Sequence, residues 1–318
     1  MLEPYGLIEV KPRKLNKLKV TLAIIVVITI IGLCVYSAVK AVQYKNEQKQ
    51  QEALNNNEQV ALNNNATQEQ VAKEAEEQAK QEEAKKQKEL NAQKEKNAIA
   101  LTETQMHDVE HIYNSTGVKR VFLTFDDGPT ASVTPFILDL LKQENIKATF
   151  FVLGNRAKAN SDLIKREFNE GHYIGNHGYS HVYSQIYARA QNVLDEYNYT
   201  EQCLQDALEN PDYHSRVFRF PGGSNGGYYN SLKQEAKSLL RSNNIVHLDW
   251  NCLSKDAEGA KTKEQLLQNV INTAQNKDSV VVLMHDSADK ILTYEVLPDV
   301  INYFRQNGYN FMNLYDIL

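Results

Sequence analysis

Cysteine is scarce in this chain, which has three cysteines among 318 residues. Cys34 lies in an apolar segment, so a disulfide elsewhere could join only Cys203 and Cys252, and only in an oxidising compartment. These two cysteines fall in a predicted helix and a predicted strand, and their positions leave open whether they pair or remain separate free thiols. The scarcity therefore limits the distal part of the chain to one disulfide at most.

Clusters of lysine and arginine are absent from the distal part of the chain. The formal net charge is -5, but the first twenty residues are basic and the remainder is mildly acidic. A nucleic-acid-binding domain needs basic side chains concentrated on one folded surface. The charge pattern therefore predicts no nucleic-acid partner.

Charged residues are also missing from residues 20–39, which form one apolar run. About 20 apolar residues suffice for a helix to cross a bilayer. Basic residues precede the run and no acidic residue falls between Glu9 and Glu47, so the positive-inside rule places the N-terminus in the cytoplasm. We predict a cytoplasmic basic segment over 1–19, a transmembrane helix over 20–42 and an extracellular remainder at the cell membrane. A cleaved signal peptide is the alternative, but its apolar core usually has only about 7–15 residues.

Glycine and proline are absent from residues 43–105, and aromatic residues are almost absent there. The segment is rich in glutamine, glutamate, lysine, asparagine and alanine, and residues 68–96 favour helix without a heptad repeat of apolar positions. This composition is typical of a solvated helix or a disordered spacer rather than a coiled coil. We predict a polar, helical or disordered linker over 43–117 that precedes a folded domain over 118–318.

The composition becomes that of a folded domain from about residue 118. Short runs of aromatic and β-branched residues alternate with helical patterns, which predicts a parallel α/β barrel or a doubly wound sheet. In a barrel of this kind, the functional residues lie at the carboxyl ends of the strands. The predicted strands cover 120–126, 147–153, 173–177, 216–220, 245–251, 279–285 and 309–314, and the predicted helices cover 132–145, 156–170, 187–208, 228–243, 262–276 and 289–307.

Polar clusters follow the predicted strands at the expected ends. Asp126 and Asp127 end the first strand, directly before Gly-Pro, and His177 and His181 follow the third. Histidines four residues apart on a helical turn are close enough to share a metal. Two histidines and one carboxylate would make a catalytic metal site with positions left for water or substrate. Each cluster alone also has an ordinary structural interpretation, as a capped turn or as surface histidines.

Three further clusters occupy later strand ends. Arg219 precedes a Pro-Gly-Gly turn whose backbone N–H groups could face a ligand. Asp249 and Asp256 follow the apolar run Ile245–Leu248 of the fifth predicted strand, and Leu283 and His285 end the sixth. A histidine at the end of a buried strand could equally be a satisfied core residue. The coincidence of five clusters at strand ends is far more specific than any one of them.

Residues 118–318 resemble the polysaccharide deacetylases of the NodB-homology type, which are metal-dependent carbohydrate esterases on a distorted (β/α) barrel. The matching motifs span the distal domain in family order. They are Thr-Phe-Asp126-Asp127-Gly, His177-x-x-x-His181, Arg219-Phe-Pro221, Asp256 in Trp-Asn-Cys-Leu-Ser-Lys-Asp, and Leu283-Met-His285. The resemblance implies an α/β fold of this barrel type.

The resemblance also implies a division of labour among the acids and histidines. Asp127, His177 and His181 would bind the metal, which in this family is usually zinc and sometimes cobalt or nickel. Asp126 would be the general base, because one carboxylate must stay off the metal to accept a proton. His285 would be the general acid that protonates the leaving amine, a task that suits histidine near neutral pH.

Four more positions carry roles that the resemblance implies. Arg219 would hold the base in place, and Asp256 would orient the acid or Arg219. The backbone N–H of Gly222 would help to stabilise the oxyanion. Leu283 would line the pocket for the acetyl group.

Two positions depart from the family pattern. Many relatives have tyrosine at the position of Gly222 and tryptophan at the position of Ala257. Glycine keeps the backbone N–H, so catalysis should survive, but the contacts of the missing tyrosine ring are in doubt. Ala257 removes an apolar wall of the acetyl pocket, and Trp250 is the only tryptophan in the chain. The departures make the preferred sugar less predictable than the reaction.

These observations predict a membrane-anchored, metal-dependent N-deacetylase of acetylated cell-envelope glycan. A tethered enzyme on the outer face would meet peptidoglycan first, so peptidoglycan is the expected substrate. The alternatives are deacetylation of an exported polysaccharide or of O-acetyl esters, and a non-catalytic glycan-binding protein on the same fold. A further alternative gives residues 43–105 the main role, as a rod that binds partners across the envelope.

Overall fold

The computed structural model describes residues 17–318, apart from the side chains of residues 17, 61–67 and 69. Most of the predicted basic segment 1–19 lies outside the described residues. The chain divides into two compact units, Met1–Glu82 and Glu83–Leu318. The first helix, α1 (Lys17–Ala98), contributes to both units.

The first unit is helical throughout its described residues. Its segment Leu18–Val60 is long and apolar enough to cross a membrane, and the side chains of its most apolar stretch are not buried. A signal sequence near an N-terminus passes the same test of length and composition. The predicted span 20–42 therefore lies in a helix that could be a membrane anchor or a signal. The polar residues that follow in this unit are helical, and those whose side chains are described are exposed, as in the solvated-helix alternative.

The second unit alternates short strands with helices around one sheet. The strands are β1 (Arg120–Asp126), β2 (Thr149–Val152), β3 (Tyr173–Asn176), β4 (Val217–Phe218), β5 (Val246–His247), β6 (Cys252–Leu253), β7 (Ser279–His285) and β8 (Asn310–Met312). The helices are α2 (Glu103–Glu110), α3 (Thr134–Gln143), α4 (Gly154–Ala159), α5 (Ser161–Asn169), α6 (Tyr183–Ile186), α7 (Ala190–Leu208), α8 (Asn230–Ser242), α9 (Lys263–Ala274) and α10 (Ile291–Gln306), and a 3₁₀ turn covers Leu314–Asp316.

All strand pairings in this sheet are parallel. The strand order is β5-β4-β3-β2-β1-β7-β6, with β8 paired to the first half of β1. Within residues 17–318 no ladder joins β5 to β6, so the barrel is incomplete on that side. The prediction of a distorted (β/α) barrel is confirmed, and β1 at its centre pairs with three neighbours.

Predicted and observed elements differ mainly in length. Strand β1 has the predicted bounds, whereas β4 and β5 keep only two paired residues each, because the chain leaves the ladder early to build loops. The helix predicted over 156–170 is two helices that meet at Asn160. The Asn160 side chain donates hydrogen bonds to the carbonyl oxygens of Pro129 and Arg156, which fixes the chain at this break.

Side chains of β1 alternate between two packed layers, as the pleat of a strand requires. Val121, Leu123 and Phe125 pack among the surrounding helices, and Phe122 packs in a second cluster on the other face of the sheet. Asp126 is four residues after Phe122, so its side chain lies on the same face of the strand and faces the interior of the barrel. The strand thus places a buried carboxylate at the carboxyl end of the parallel sheet, where the neighbouring strands also end.

The folded unit begins before the predicted domain start at residue 118. Helix α2 starts with a capping box between Thr102 and Gln105. The side chains of Leu101, Met106 and Val109 are buried in the second cluster. Three apolar residues in an otherwise polar stretch were the signal for this docking, since only a buried face would require them.

The cysteines are free thiols in this structure. Cys252 is buried, and burial raises the pKa of its thiol to about 11. Cys203 is partly buried on α7. Of the two alternatives that the sequence left open, the structure has separate thiols.

Candidate functional site

The acidic pair at the end of β1 is divided between the barrel interior and its rim. Asp126 ends the strand and is buried. Asp127 has a φ of 75°, in the left-handed region that residues with a Cβ seldom adopt. The backbone therefore departs from strand geometry at this residue, and the alternation of side chains between the two faces stops here. The Asp127 side chain is 23% exposed, and Oδ1 has no hydrogen-bond partner among the described residues. The two carboxylates therefore differ in burial and in bonding.

Gly128 follows this pair because no side chain fits there. A Cβ atom at this position would lie 2.0 Å from Oδ2 of Asp286. Asp286 is buried beside α3, where its Oδ2 accepts a hydrogen bond of 2.5 Å from the hydroxyl of Thr134. Burial raises the pKa of Asp286 to about 7. Sequence reasoning included this residue in the last strand-end cluster but assigned it no role.

Asp127, His177 and His181 form a group that could hold a metal ion, since their ligand atoms lie within 4.8 Å of one another. Oδ1 of Asp127 is 3.5 Å from Nε2 of His177 and 3.4 Å from Nε2 of His181. Nδ1 of His177 donates to the carbonyl oxygen of Arg219 at 2.7 Å, which leaves the Nε2 lone pair free. Burial lowers the pKa of His177 to about 3, so its imidazole is neutral, as metal binding requires.

The chain between the two histidines does not form the helical turn that their spacing suggested. Residues 177–182 contain no helix, and His181 has a φ of 57°. Glu196 of α7 instead accepts hydrogen bonds from the backbone N–H groups of Tyr179 (2.7 Å) and Ser180 (2.8 Å). A carboxylate from another helix thus holds the loop. An acidic residue on the buried face of α7 was the signal that could have revealed it.

Arg219 reaches Asp126 from within the barrel, and both side chains are buried. Its Nη1 donates to Oδ1 of Asp126 at 2.8 Å and to the hydroxyl of Thr124 at 2.7 Å. The rest of the guanidinium donates to the carbonyl oxygens of Leu248 and Asp249. Burial raises the pKa of Asp126, and the charge of Arg219 opposes this rise. The fixed guanidinium therefore aims the carboxylate and provides its counter-charge.

Asp256 holds His285 through both carboxylate oxygens. Oδ1 lies 2.8 Å from Nδ1 of His285, and Oδ2 accepts the His285 backbone N–H at 2.8 Å. Oδ2 also accepts the hydroxyl of Thr293 at 2.8 Å. Burial lowers the pKa of His285, but the hydrogen bond and charge of Asp256 outweigh burial and raise the pKa to about 9. His285 is therefore protonated at neutral pH, with Nε2 directed away from Asp256.

The buried acid and this histidine come from paired positions of neighbouring strands. Asp126 and His285 are partners in the β1–β7 ladder. Oδ2 of Asp126 lies 3.8 Å from Nε2 of His177, so its second oxygen is next to the metal group. The charges of Asp126 and Asp127 both help to raise the pKa of His285, which reflects their proximity. One proton acceptor and one proton donor thus lie beside the same three ligands.

The remaining predicted positions lie at the edge of this region. Leu283 is two residues before His285 on β7, so it shares the same face of the strand, and it is buried. Gly222 has a φ of 72°, and within the described part of the chain its N–H donates to no protein acceptor. Ala257 is exposed and forms no apolar wall, while the ring of Trp250 packs against Gly223.

A sequence model of the family described as polysaccharide deacetylase matches residues 113–240. The peptidoglycan-N-acetylglucosamine deacetylase PgdA of Listeria monocytogenes is 33% identical over 62% of this chain, which spans 38% of that protein. A Bacillus cereus protein named peptidoglycan-N-acetylglucosamine deacetylase is 30% identical over 63% of this chain and 88% of its own length.

The fold gives the same relationship. The structure of a Streptococcus mutans CE4 esterase superposes with a TM-score of 0.58 at 32% identity, covering 67% of this chain and 91% of that one. On sequence and on fold, this chain belongs to the polysaccharide deacetylase family.

Proposed function

We propose that this protein is a metal-dependent N-deacetylase that removes acetyl groups from the N-acetylated sugars of peptidoglycan. The observation that carries the proposal is the juxtaposition of three metal-ligand side chains with two charge pairs, Asp126–Arg219 and His285–Asp256. Amide hydrolysis needs a proton acceptor for water and a proton donor for the leaving nitrogen. The site has a candidate for each.

Asp127, His177 and His181 would hold the ion. Imidazole nitrogens and a carboxylate oxygen suit zinc, and cobalt or nickel could use the same ligands. The unpaired Oδ1 of Asp127 and the free Nε2 of His177 support the fit. A bound divalent cation would polarise the acetyl carbonyl and make water a stronger acid.

Asp126 is the proposed general base. Arg219 fixes one of its oxygens, and the other faces the metal group, so Oδ2 is free to accept a proton from the attacking water. Burial raises the pKa of Asp126, which makes the carboxylate a better proton acceptor than an exposed aspartate.

His285 is the proposed general acid. Asp256 keeps the imidazole protonated and fixes its orientation, so Nε2 can donate a proton to the leaving nitrogen. The N–H of Gly222 would donate to the oxygen of the acetyl group as negative charge develops there. Leu283, on the same strand face as His285, would contact the acetyl methyl group.

The substrate class follows from the apolar N-terminal segment and from the relatives. A retained helix over 20–42, with the basic residues in the cytoplasm, would place the barrel outside the cell, where glycan of the envelope is at hand. The Listeria and Bacillus cereus relatives are named for peptidoglycan. The Streptococcus mutans relative is called an esterase, so an ester substrate belongs in the test.

The test uses the full chain in detergent, because a truncation at the predicted boundary would remove Leu101 and α2 from the core. The metal is stripped and zinc or cobalt is restored, and acetate release is measured from peptidoglycan, chitooligosaccharides and acetylated xylan. We expect metal-dependent release from the first two. Asp126→Asn should abolish release while metal binding persists, and Asp212→Asn, an exposed site, should leave release unchanged. Absence of acetate from all three substrates with either metal would refute the proposal.

A further inference from the structure

The ring of Tyr183 occupies the space that a side chain at position 222 would need. A Cβ atom built on Gly222 would lie 2.4 Å from Oη of Tyr183 and 3.1 Å from its Cζ. Contacts below 3.0 Å are essentially never made by real Cβ atoms. The glycine is therefore required here for two reasons, its φ of 72° and the tyrosine against it.

Tyr183 belongs to the candidate site by its other contacts. Its ring centroid is 5.5 Å from that of His181 and 5.7 Å from that of Tyr187. The residue is 40% exposed, so one edge of the ring is open to a ligand. Its hydroxyl forms no hydrogen bond with the protein anywhere in residues 17–318. The ring of Tyr183 is held by its aromatic neighbours, and its hydroxyl is available to donate a hydrogen bond to a ligand.

The turn beneath Tyr183 is fixed independently of it. The hydroxyl of Tyr187 donates to the carbonyl oxygen of Pro221 at 2.7 Å, and Lys233 donates to the carbonyl oxygen of Gly223 at 2.7 Å. These bonds leave the N–H of Gly222 unused. Gly222 and Tyr183 thus each have a donor without a protein acceptor among the described residues, and the Tyr183 hydroxyl lies against Gly222 while its ring lies beside the ring of His181.

We propose that Tyr183 is a further catalytic residue, whose hydroxyl donates together with the Gly222 N–H to the acetyl oxygen of the substrate. This rests on the proposed function. Only a hydrogen bond is required of the hydroxyl, and it transfers no proton to the substrate. Donors fixed before the reaction stabilise charge that develops on a carbonyl oxygen as water adds.

The same contact explains the departure at position 222. Where many members of the resembled family have a tyrosine ring, this chain has a glycine and fills the space with the ring of Tyr183. The aromatic group thus comes from the first residue of α6, two residues after His181, rather than from the turn after Arg219.

The principal test compares Tyr183→Phe with wild type in the full, zinc-loaded chain. The phenylalanine variant keeps the ring and loses only the donor, so we expect kcat to fall about 100-fold, as for removal of one oxyanion donor, with zinc content and KM nearly unchanged. Tyr199→Phe, on the exposed face of α7, is the matched control and should leave kcat unchanged. A Tyr183→Phe variant with wild-type kcat would overturn this proposal alone, whereas an inactive wild type would overturn the proposed function as well.

A second measurement needs no activity. Gly222→Ala should lower the midpoint of thermal unfolding through backbone strain and through its clash with Tyr183. In a Tyr183→Ala background the clash is gone, so the same substitution should lower the midpoint by less. An equal drop in both backgrounds would show that the ring does not fill this space and would count against the proposal.

Discussion

Replacing Asp256 by asparagine removes the negative charge beside His285 but keeps a side chain of nearly the same shape. The hydrogen bond and charge of Asp256 are the largest of the effects that raise the pKa of His285 from its ordinary 6.5 to about 9, while burial acts in the opposite direction. Without that charge, burial opposes only the smaller effects of Asp126 and Asp127, so the pKa should fall back toward its ordinary value. If His285 must be protonated to act as the acid, the descending limb of the activity profile should move to lower pH.

The size of the effect follows from the two pKa values. At pH 8 a group with a pKa of about 9 is about 90% protonated, whereas one with a pKa of about 6.5 is about 3% protonated. Asp256→Asn should therefore lose about 30-fold in kcat/KM at pH 8 from protonation alone, and about twofold or less at pH 6. The loss should depend strongly on pH, which distinguishes it from a general loss of structure.

The assay is acetate release by the zinc-loaded full chain between pH 5 and pH 10. Thr293→Val is the matched control, because it removes one hydrogen bond to Asp256 and keeps the charge. Its descending limb should stay where the wild-type limb lies. A descending limb that is also unmoved in Asp256→Asn would refute the reasoning, since His285 would then not be the titrating acid or Asp256 would not control it.

The remaining predictions concern the metal group and the turn at the end of β1. Asp127→Asn should weaken zinc binding by at least tenfold in isothermal titration, while Asp139→Asn at an exposed site should not; equal binding by both would contradict the ligand assignment. Gly128→Ala should lower the free energy of unfolding by about 1–3 kcal/mol or more, because its Cβ would overlap Asp286, and an unchanged urea midpoint would contradict that packing. Folding raises the pKa of Asp286 from 3.8 to about 7, so the folded chain holds a proton that the unfolded chain releases, and stability should fall as the pH rises through this window. Asp286→Asn should remove the part of this loss of stability that comes from Asp286. If the urea midpoint of the variant kept the wild-type pH dependence, Asp286 would not be the group responsible.

Sequence periodicity predicted the alternation of strands and helices because its signals are local, and the family resemblance then implied the distorted barrel. The run before Asp126 alternates between two packed layers, and its predicted bounds match β1. The two-residue strands β4 and β5 were predicted too long, since an apolar run does not reveal where a partner strand stops. The residues of helix α2 were assigned to the linker, because the segment is mostly polar and its three apolar residues were too few to indicate a buried helix.

The site was predictable where a strand end marks it. Both acids of the first motif, the two histidines and His285 stand at such ends, and all of them meet around one group of ligand atoms in the structure. Glu196 and Tyr183 were missed, because each lies on a helix and reaches the site only through packing. Their roles depend on residues distant in sequence.

The sequence alone determined the fold class, the membership of the family and the set of polar residues at the strand ends, because each leaves a local pattern of residue types. The resemblance implied how those residues divide, but only the tertiary structure decided which contacts each of them makes. It buries Asp126 against Arg219 and turns Asp127 toward two histidines, and it sets Tyr183 over Gly222. The reason is that burial, counter-charge and occupied space arise when separate elements come into contact, and no single stretch of sequence contains both partners.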